Sequence, residues 1–272
     1  MTIPGRKIGI FGANGFLGTY LVQTLLSRKI KPSVFRGDAL SASDVKQYFS
    51  SEQPDTIVFL IGRYRGLFQE LFKVNVETLQ NVLTEAALHK VSKIIYVSSG
   101  AVYGESEKTG MMETDLMSPR TLYGLFKVYA EASLTYYRNV NKTITVILRM
   151  PNVYGGVKSQ AVIDKYMHEI RDKKRILIFG DGNQRRDFLH IADAINAIIL
   201  SLDYDKPEIF NISSSDYFSL NDIVKMLHKN LKFTVTYSPP ETQITTNLHL
   251  DYSKAVKLLG YIQKRKIIDY LK

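Results

Sequence analysis

The chain has 272 residues, enough for one large or two modest domains with a proper core, and its 45% hydrophobic share is ordinary for a globular fold. It has no cysteine, which excludes a disulfide framework, a thiolate metal site and a cysteine nucleophile. The formal charge of +10 calls for an anionic partner. The basic residues are dispersed, however, and the two tight clusters, 171–175 and 264–266, lack the interleaved aromatics that stack nucleic-acid bases. Both read as solvated surface, and a small polyanion fits the charge, so no nucleic-acid partner is expected. Residues 1–7 are short and polar and lead directly into an apolar run, with no signal peptide or membrane span in view. A soluble cytoplasmic protein is the expectation.

The first predicted unit organises the rest. An apolar run over 8–11 reads as a buried strand, and Gly12, Gly15 and Gly18 follow at a spacing of three. An amphipathic helix comes next. A glycine pattern between strand and helix is the context for phosphate binding. Gly12 allows the tight turn, Gly15 leaves room for a pyrophosphate, and Gly18 lets the helix pack on the strand. The free N–H groups and positive end of the helix then face the anion. A glycine-rich loop joining ordinary elements would share this pattern, so the rest of the chain has to decide.

Strands and helices alternate through the first half. A short strand with a turn is expected at 31–38, a helix at 43–49 capped by Ser41 or Ser43, and a buried strand at 56–61. A long helix at 70–88, a strand at 93–98, a helix at 122–138 and a strand at 143–149 follow. That alternation predicts an α/β fold with a doubly wound, largely parallel sheet over residues 1–150. Beyond Pro151 the elements shorten. Helices at 162–171, 191–202 and 220–227, strands at 176–179, 209–212 and 233–237, and terminal helices read as a smaller α+β domain, 151–272. The 191–202 helix is expected to pack back on the first half.

Tyr123 and Lys127 stand four apart at a predicted helix start and so share one face. A phenol titrates near pH 10, too high for proton exchange at neutrality. Lowering it by three units takes about 4 kcal/mol, which is about what one ammonium 4 Å away supplies at an effective dielectric of 20. The strand ending at Ser98 opens into Ser98-Ser99-Gly100-Ala101-Val102-Tyr103-Gly104. Parallel sheets carry their sites at the carboxyl ends of strands, which places the Ser98 and Ser99 hydroxyls on the rim shared with the glycine turn.

These motifs in order, with Arg149-Met150-Pro151-Asn152-Val153-Tyr154-Gly155 and Arg186-Asp187-Phe188-Leu189-His190 after them, resemble the extended short-chain dehydrogenase/reductase family. More narrowly, the chain is similar to the branch of nucleotide-sugar epimerases, dehydratases and reductases, over nearly its whole length. The resemblance implies a Rossmann fold with a C-terminal substrate-binding domain. It makes Tyr123 the acid/base, Lys127 its pKa partner and nicotinamide-ribose ligand, and Ser99 the third catalytic member. Ser99 and Tyr123 would also touch substrate, with Asn152 and Arg186 facing its diphosphate. The cofactor site would comprise Gly12, Gly15 and Gly18 at the pyrophosphate, Asp38 and Ala39 at the adenine, Asn75 behind the nicotinamide loop, and with them Asn14, Phe16, Leu17, Arg36, Ile61, Gly62, Ser98, Tyr123, Lys127 and Pro151. No metal is implied, and His190 reads as structural. The partner is a nucleotide-diphosphate sugar, and the helices at 70–88 and 122–138 resemble those that form a four-helix homodimer interface.

Three departures refine this. No acidic residue precedes Asp38 where the family selects NAD through the ribose, and Arg36 is nearby, so the cofactor is NAD or NADP with a tilt toward NADP. The Asp-Glu pair that dehydratases carry after the catalytic Ser or Thr is Gly100-Ala101 here, which removes the acid and base for eliminating water. The second domain is short for an epimerase. Reduction of a nucleotide-activated 4-keto-6-deoxyhexose at carbon 4 is the leading expectation, and 4-epimerisation by the same residues is the alternative.

Overall fold

A computed structural model describes residues 6–106, 108–239 and 247–271; the first five residues of the polar N-terminal stretch lie outside them. Strand β1 (Ile8–Phe11) leads through the glycine turn into α1 (Phe16–Ser27). Then come β2 (Ser33–Val34), α2 (Ala42–Glu52) and β3 (Thr56–Phe59). The long helix expected at 70–88 is three pieces in line: α3 (Phe68–Phe72), a π turn (Lys73–Glu77) and α4 (Thr78–Leu88). β4 (Lys93–Ser99), α5 (Leu122–Asn141) and β5 (Ile144–Met150) complete the first half.

The main sheet also takes a strand from the second half. After β6 (Asn152–Tyr154), α6 (Val162–Lys173), β7 (Arg175–Phe179), β8 (Arg185–His190) and α7 (Ile191–Leu202) comes β9 (Glu208–Asn211), and β9 pairs in parallel with β5. The six strands run in the order β2-β1-β3-β4-β5-β9, all parallel. The 209–212 strand, expected in the smaller second domain, is therefore the sheet's edge. Helix α7 packs against α1 as expected. The order reverses between β1 and β3, and the crevice at such a reversal is where open α/β sheets bind ligands.

Side-chain alternation sorts the core. Ile8 and Ile10 of β1, Val58 of β3, Ile95 and Val97 of β4, and Val146 and Leu148 of β5 face α1 and α7. Phe11, Ile57, Phe59, Ile94, Tyr96 and Ile147 face α2, α4 and α5, in a layer rich in stacked aromatic rings. Both faces are covered, which is why the strands read as continuous apolar runs.

The remaining elements are β10 (Tyr217–Ser219), α8 (Leu220–His228), β11 (Thr234–Ser238), a second π turn (Ala255–Leu259) and the short α9 (Ile267–Tyr270). They build two small sheets, β10-β8-β6 and β11-β7, over a third apolar cluster. The terminal helices expected from sequence are the π turn and one four-residue helix. No helix among the described residues is long and apolar enough to cross a membrane.

Candidate active site

The glycine turn has the shape its spacing requires. Gly12 has φ +88°, open to glycine at little cost, and a Cβ on Gly18 would lie 2.2 Å from the Gly12 carbonyl oxygen. Helix and strand are thus packed backbone to backbone. Helix α1 starts at Phe16 and Leu17 after an N-cap, Gly15, that offers no side-chain acceptor, and its first turn holds no acidic residue. Its positive end is unneutralised, which fits the pyrophosphate of a dinucleotide. Beyond β2, Arg36 and Asp38 are exposed and Ala39 is buried. The Asp38 carboxylate accepts the Leu40 N–H at 2.9 Å, and Asn81 of α4 donates to the Ala39 carbonyl at 3.0 Å. β2 is two residues long and stands at the sheet's edge, and among the described residues no strand pairs beyond it.

After β3, Ile61 and Gly62 lead into a loop clamped by Asn75. The Asn75 amide donates to the Arg63 carbonyl at 2.8 Å and accepts the Arg63 N–H at 3.1 Å. Asn75 sits in the π turn, whose wider helical step is the irregularity periodicity cannot reveal. A Cβ on Gly62 would lie 3.5 Å from Lys127 Nζ, so this loop borders the lysine directly.

Ser99, Tyr123 and Lys127 come together at the carboxyl end of β4. Ser99 ends the strand, and its hydroxyl accepts the Ala101 N–H at 3.1 Å. Thr121 caps α5 by accepting the Gly124 N–H at 3.0 Å, which sets Tyr123 and Lys127 on the first turns of that helix. Ser99 is the neighbour that draws the Tyr123 phenol's pKa down. Lys127 is buried, donates to Tyr96 Oη at 3.0 Å and the Val97 carbonyl at 2.8 Å, and lies 5.6 Å from the Tyr123 ring centre.

Two expectations change here. The lysine was expected to lower the phenol's pKa; burial instead raises Tyr123 to about 12, against the pull of Ser99, and lowers Lys127 to about 7, against the nearby Glu131 carboxylate. Desolvation favours the neutral form of each group and is the largest cause of both shifts. Ser98 and Ser99 were both expected on the rim. Consecutive strand residues point to opposite sides, and the buried Ser98 hydroxyl donates inward to Glu131 at 2.5 Å.

Glu131 was not singled out from sequence, although it continues the helix face as Tyr-x-x-x-Lys-x-x-x-Glu. It accepts from Arg149 Nε at 3.1 Å and Nη2 at 2.6 Å. Arg149 Nη1 donates to Tyr103 Oη at 2.7 Å, and Tyr103 donates to Asn211 at 2.8 Å. A buried polar network thus runs beneath Lys127 from α5 through β5 to β9.

The substrate-side residues sit on the adjoining small sheet. Met150 is in register with Ser99; Pro151 follows, and the exposed Asn152 opens β6 in register with Phe188 of β8. Arg186 is two residues back along β8. Its Nε is buried without a hydrogen-bond partner, and among the described residues no carboxylate lies within ion-pair distance. Burial disfavours its charge, opposed by Tyr166 alone. His190 caps α7, its Nδ1 accepting the Ala192 N–H at 3.1 Å, and burial lowers its pKa. A neutral acceptor imidazole agrees with a structural part.

The sequence pattern of the NAD dependent epimerase/dehydratase family matches residues 8–213. The chain belongs to that family. It is 28% identical to a dTDP-4-dehydro-6-deoxyglucose reductase of Escherichia coli, over 95% of this chain and 94% of that one. It is 32% identical to a putative UDP-glucose 4-epimerase of Methanocaldococcus jannaschii over 68% of this chain, a match spanning 63% of that protein. Among solved structures, the UDP-glucuronic acid 4-epimerase of Bacillus cereus, in complex with UDP-glucuronic acid and NAD, superposes with a TM-score of 0.90. It is 27% identical, over 97% of this chain and 96% of that one. The tilt toward NADP gains no support, because that neighbour holds NAD.

Proposed function

We propose that this enzyme reduces a nucleotide-activated 4-keto-6-deoxyhexose at carbon 4, using a nicotinamide dinucleotide. Residues 1–150 would hold the dinucleotide and 151–272 the sugar nucleotide, with α7 and β9 returned to the first layer. The observation that carries the reading is Arg186. A guanidinium nitrogen buried without a partner is costly, and a diphosphate is the ligand whose geometry the fork matches. Asn152 contributes a neutral amide on the neighbouring strand.

A bound nicotinamide dinucleotide supplies the hydride. Tyr123 delivers a proton to the carbonyl oxygen, and the Ser99 hydroxyl donates to the alkoxide as charge develops there. Lys127, held by Tyr96 and Val97, favours the phenolate that remains once the proton has left. Dehydration fits poorly. Gly100 and Ala101 bring no carboxyl groups, and a Cβ on Gly100 would already meet Leu248 at 2.7 Å.

A second reading, 4-epimerisation of the sugar nucleotide, is favoured by the full-length likeness to the Bacillus cereus enzyme. Turnover separates the two. With a panel of nucleotide 4-ketosugars, reduction consumes one reduced nicotinamide per product. Epimerisation interconverts nucleotide hexoses with no net change in nicotinamide absorbance, and that result would overturn the reductase reading. Titrating NAD and NADP into the wild type and Arg36→Asp reads the cofactor choice: if Arg36 holds a 2′-phosphate, the substitution weakens NADP alone.

We also propose a homodimer. Leu122, Leu125, Tyr129, Tyr136 and Val140 form an exposed stripe along α5, with the half-exposed Phe68 of α3 packed against Phe126 of the same helix. A second copy is the occupant this apolar stripe suits. Light scattering should give twice the chain mass, and Tyr136→Glu should return the monomer.

A further inference from the structure

Resting on the dinucleotide reading above, we infer that Lys158 is the pyrophosphate's counter-cation, carried on a strap of residues 156–160 that closes the cofactor crevice and slows the dinucleotide's release. The strap follows β6 and touches both walls of the crevice at the reversal between β1 and β3. On the β1 wall, Lys158 Nζ donates to the Asn14 carbonyl at 3.0 Å, inside the glycine turn itself. The Val157 N–H donates to Tyr20 Oη of α1 at 2.8 Å. On the β3 wall, Tyr64 Oη donates to Gln160 at 2.7 Å.

The local sequence is shaped for this crossing. Gly156 has φ +94°, and a Cβ there would lie 2.1 Å from Tyr20 Oη, so only glycine lets the strap lie on α1. Behind it, the buried Asp164 of α6 fixes the strap's base by accepting the Gly155 N–H at 3.0 Å and the Ser159 hydroxyl at 2.5 Å.

An ammonium has three donors, and the Asn14 carbonyl uses one. The other two are available to phosphate oxygens seated on the α1 amides. The turn and first helical turn, Gly12 to Thr19, carry no basic side chain of their own. Lys158 is thus the cation that reaches this turn, and it arrives from the substrate half of the chain. Opening the strap for exchange requires breaking its contacts on both walls.

The test is dinucleotide binding by the full chain, read from the fluorescence of reduced nicotinamide for affinity and by stopped-flow displacement for release. Lys158→Gln should raise Kd about tenfold, chiefly through faster release, with a shallower dependence on salt; Lys158→Arg should stay near the wild type. Tyr64→Phe, which keeps the charge, should speed release less and leave the salt dependence intact. ADP-ribose, which has the pyrophosphate and lacks the nicotinamide, should show the same penalty in Lys158→Gln. The proposal is overturned if Lys158→Gln binds within twofold of the wild type, or if the penalty vanishes with ADP-ribose. A wild type that binds neither NADH nor NADPH overturns the dinucleotide reading and this proposal together.

Discussion

Arg149 on β5 and Arg186 on β8 are two guanidinium groups held in opposite ways. Arg149 is 2% exposed and fully partnered: two bonds to the buried Glu131 from Nε, a third from Nη2, and further bonds to Tyr103 and the Glu113 carbonyl. Arg186 is partly exposed, with a buried Nε that meets nothing. The folded chain repays the desolvation of the first cation internally and leaves the second without a hydrogen-bond partner at Nε, which is the basis for proposing it as a ligand's contact. On the proposed reading the first is scaffold and the second is site, although both lie in motifs of similar appearance.

Chemistry at the site's centre should give the largest effect. Tyr123→Phe should cut turnover by about 10²–10⁴-fold while nucleotide-sugar affinity stays near the wild type, as measured by steady-state rates and calorimetry. Turnover that survives this change would remove the acid/base assignment.

Breaking the scaffold arginine should come next. Arg149→Met strands Glu131 as a buried charge and should cost about 3–5 kcal/mol in urea unfolding. Adding Glu131→Leu to it should restore part of the loss, because a buried pair replaced together leaves no orphan charge. A single substitution as mild as a surface change would erase the contrast between the two arginines.

The pH dependence of stability tests the burial of Lys127. Its folded pKa, lowered to about 7, lies below the unfolded value near 10.5, so the unfolded chain binds more protons between those limits. Stability should therefore rise with pH from about 7 toward 10.5 on account of this group. Lys127→Met should gain most over the wild type at and below neutrality, and the gap should narrow as the pH climbs. A gap that widens would show the lysine to be charged and well compensated in the fold. Smallest, His190→Ala removes the α7 cap and should cost about 1 kcal/mol with little change in turnover.

Much of this was legible in the sequence because it rests on local pattern. The glycine spacing gave the turn at Gly12 and Gly18, the apolar runs gave the parallel strands, and the four-residue spacing brought Tyr123 and Lys127 to one face. What escaped depends on distance or on small backbone steps. The π turn at Asn75 breaks no periodicity rule that a helix of that length would reveal. Nothing in the composition of the second half marks β9 as the sheet's edge strand, since its pairing with β5 joins residues some 60 apart. Glu131 had a readable signal, its place four residues after Lys127, but its partner Arg149 lies on another element. The direction of the Tyr123 shift was missed because a pairwise charge estimate omits the desolvation of both groups. The strap contact of Lys158 with Asn14 spans 144 positions and has no local signature.

The central claim is that Arg186 is left unpaired for a nucleotide diphosphate, and one paired measurement on Arg186→Met tests it most directly. Calorimetric titration with UDP and dTDP should show at least tenfold weaker binding than the wild type, while the unfolding temperature without ligand holds or rises. Unchanged nucleotide affinity together with a lower unfolding temperature would contradict the claim and make Arg186 a structural cation like Arg149.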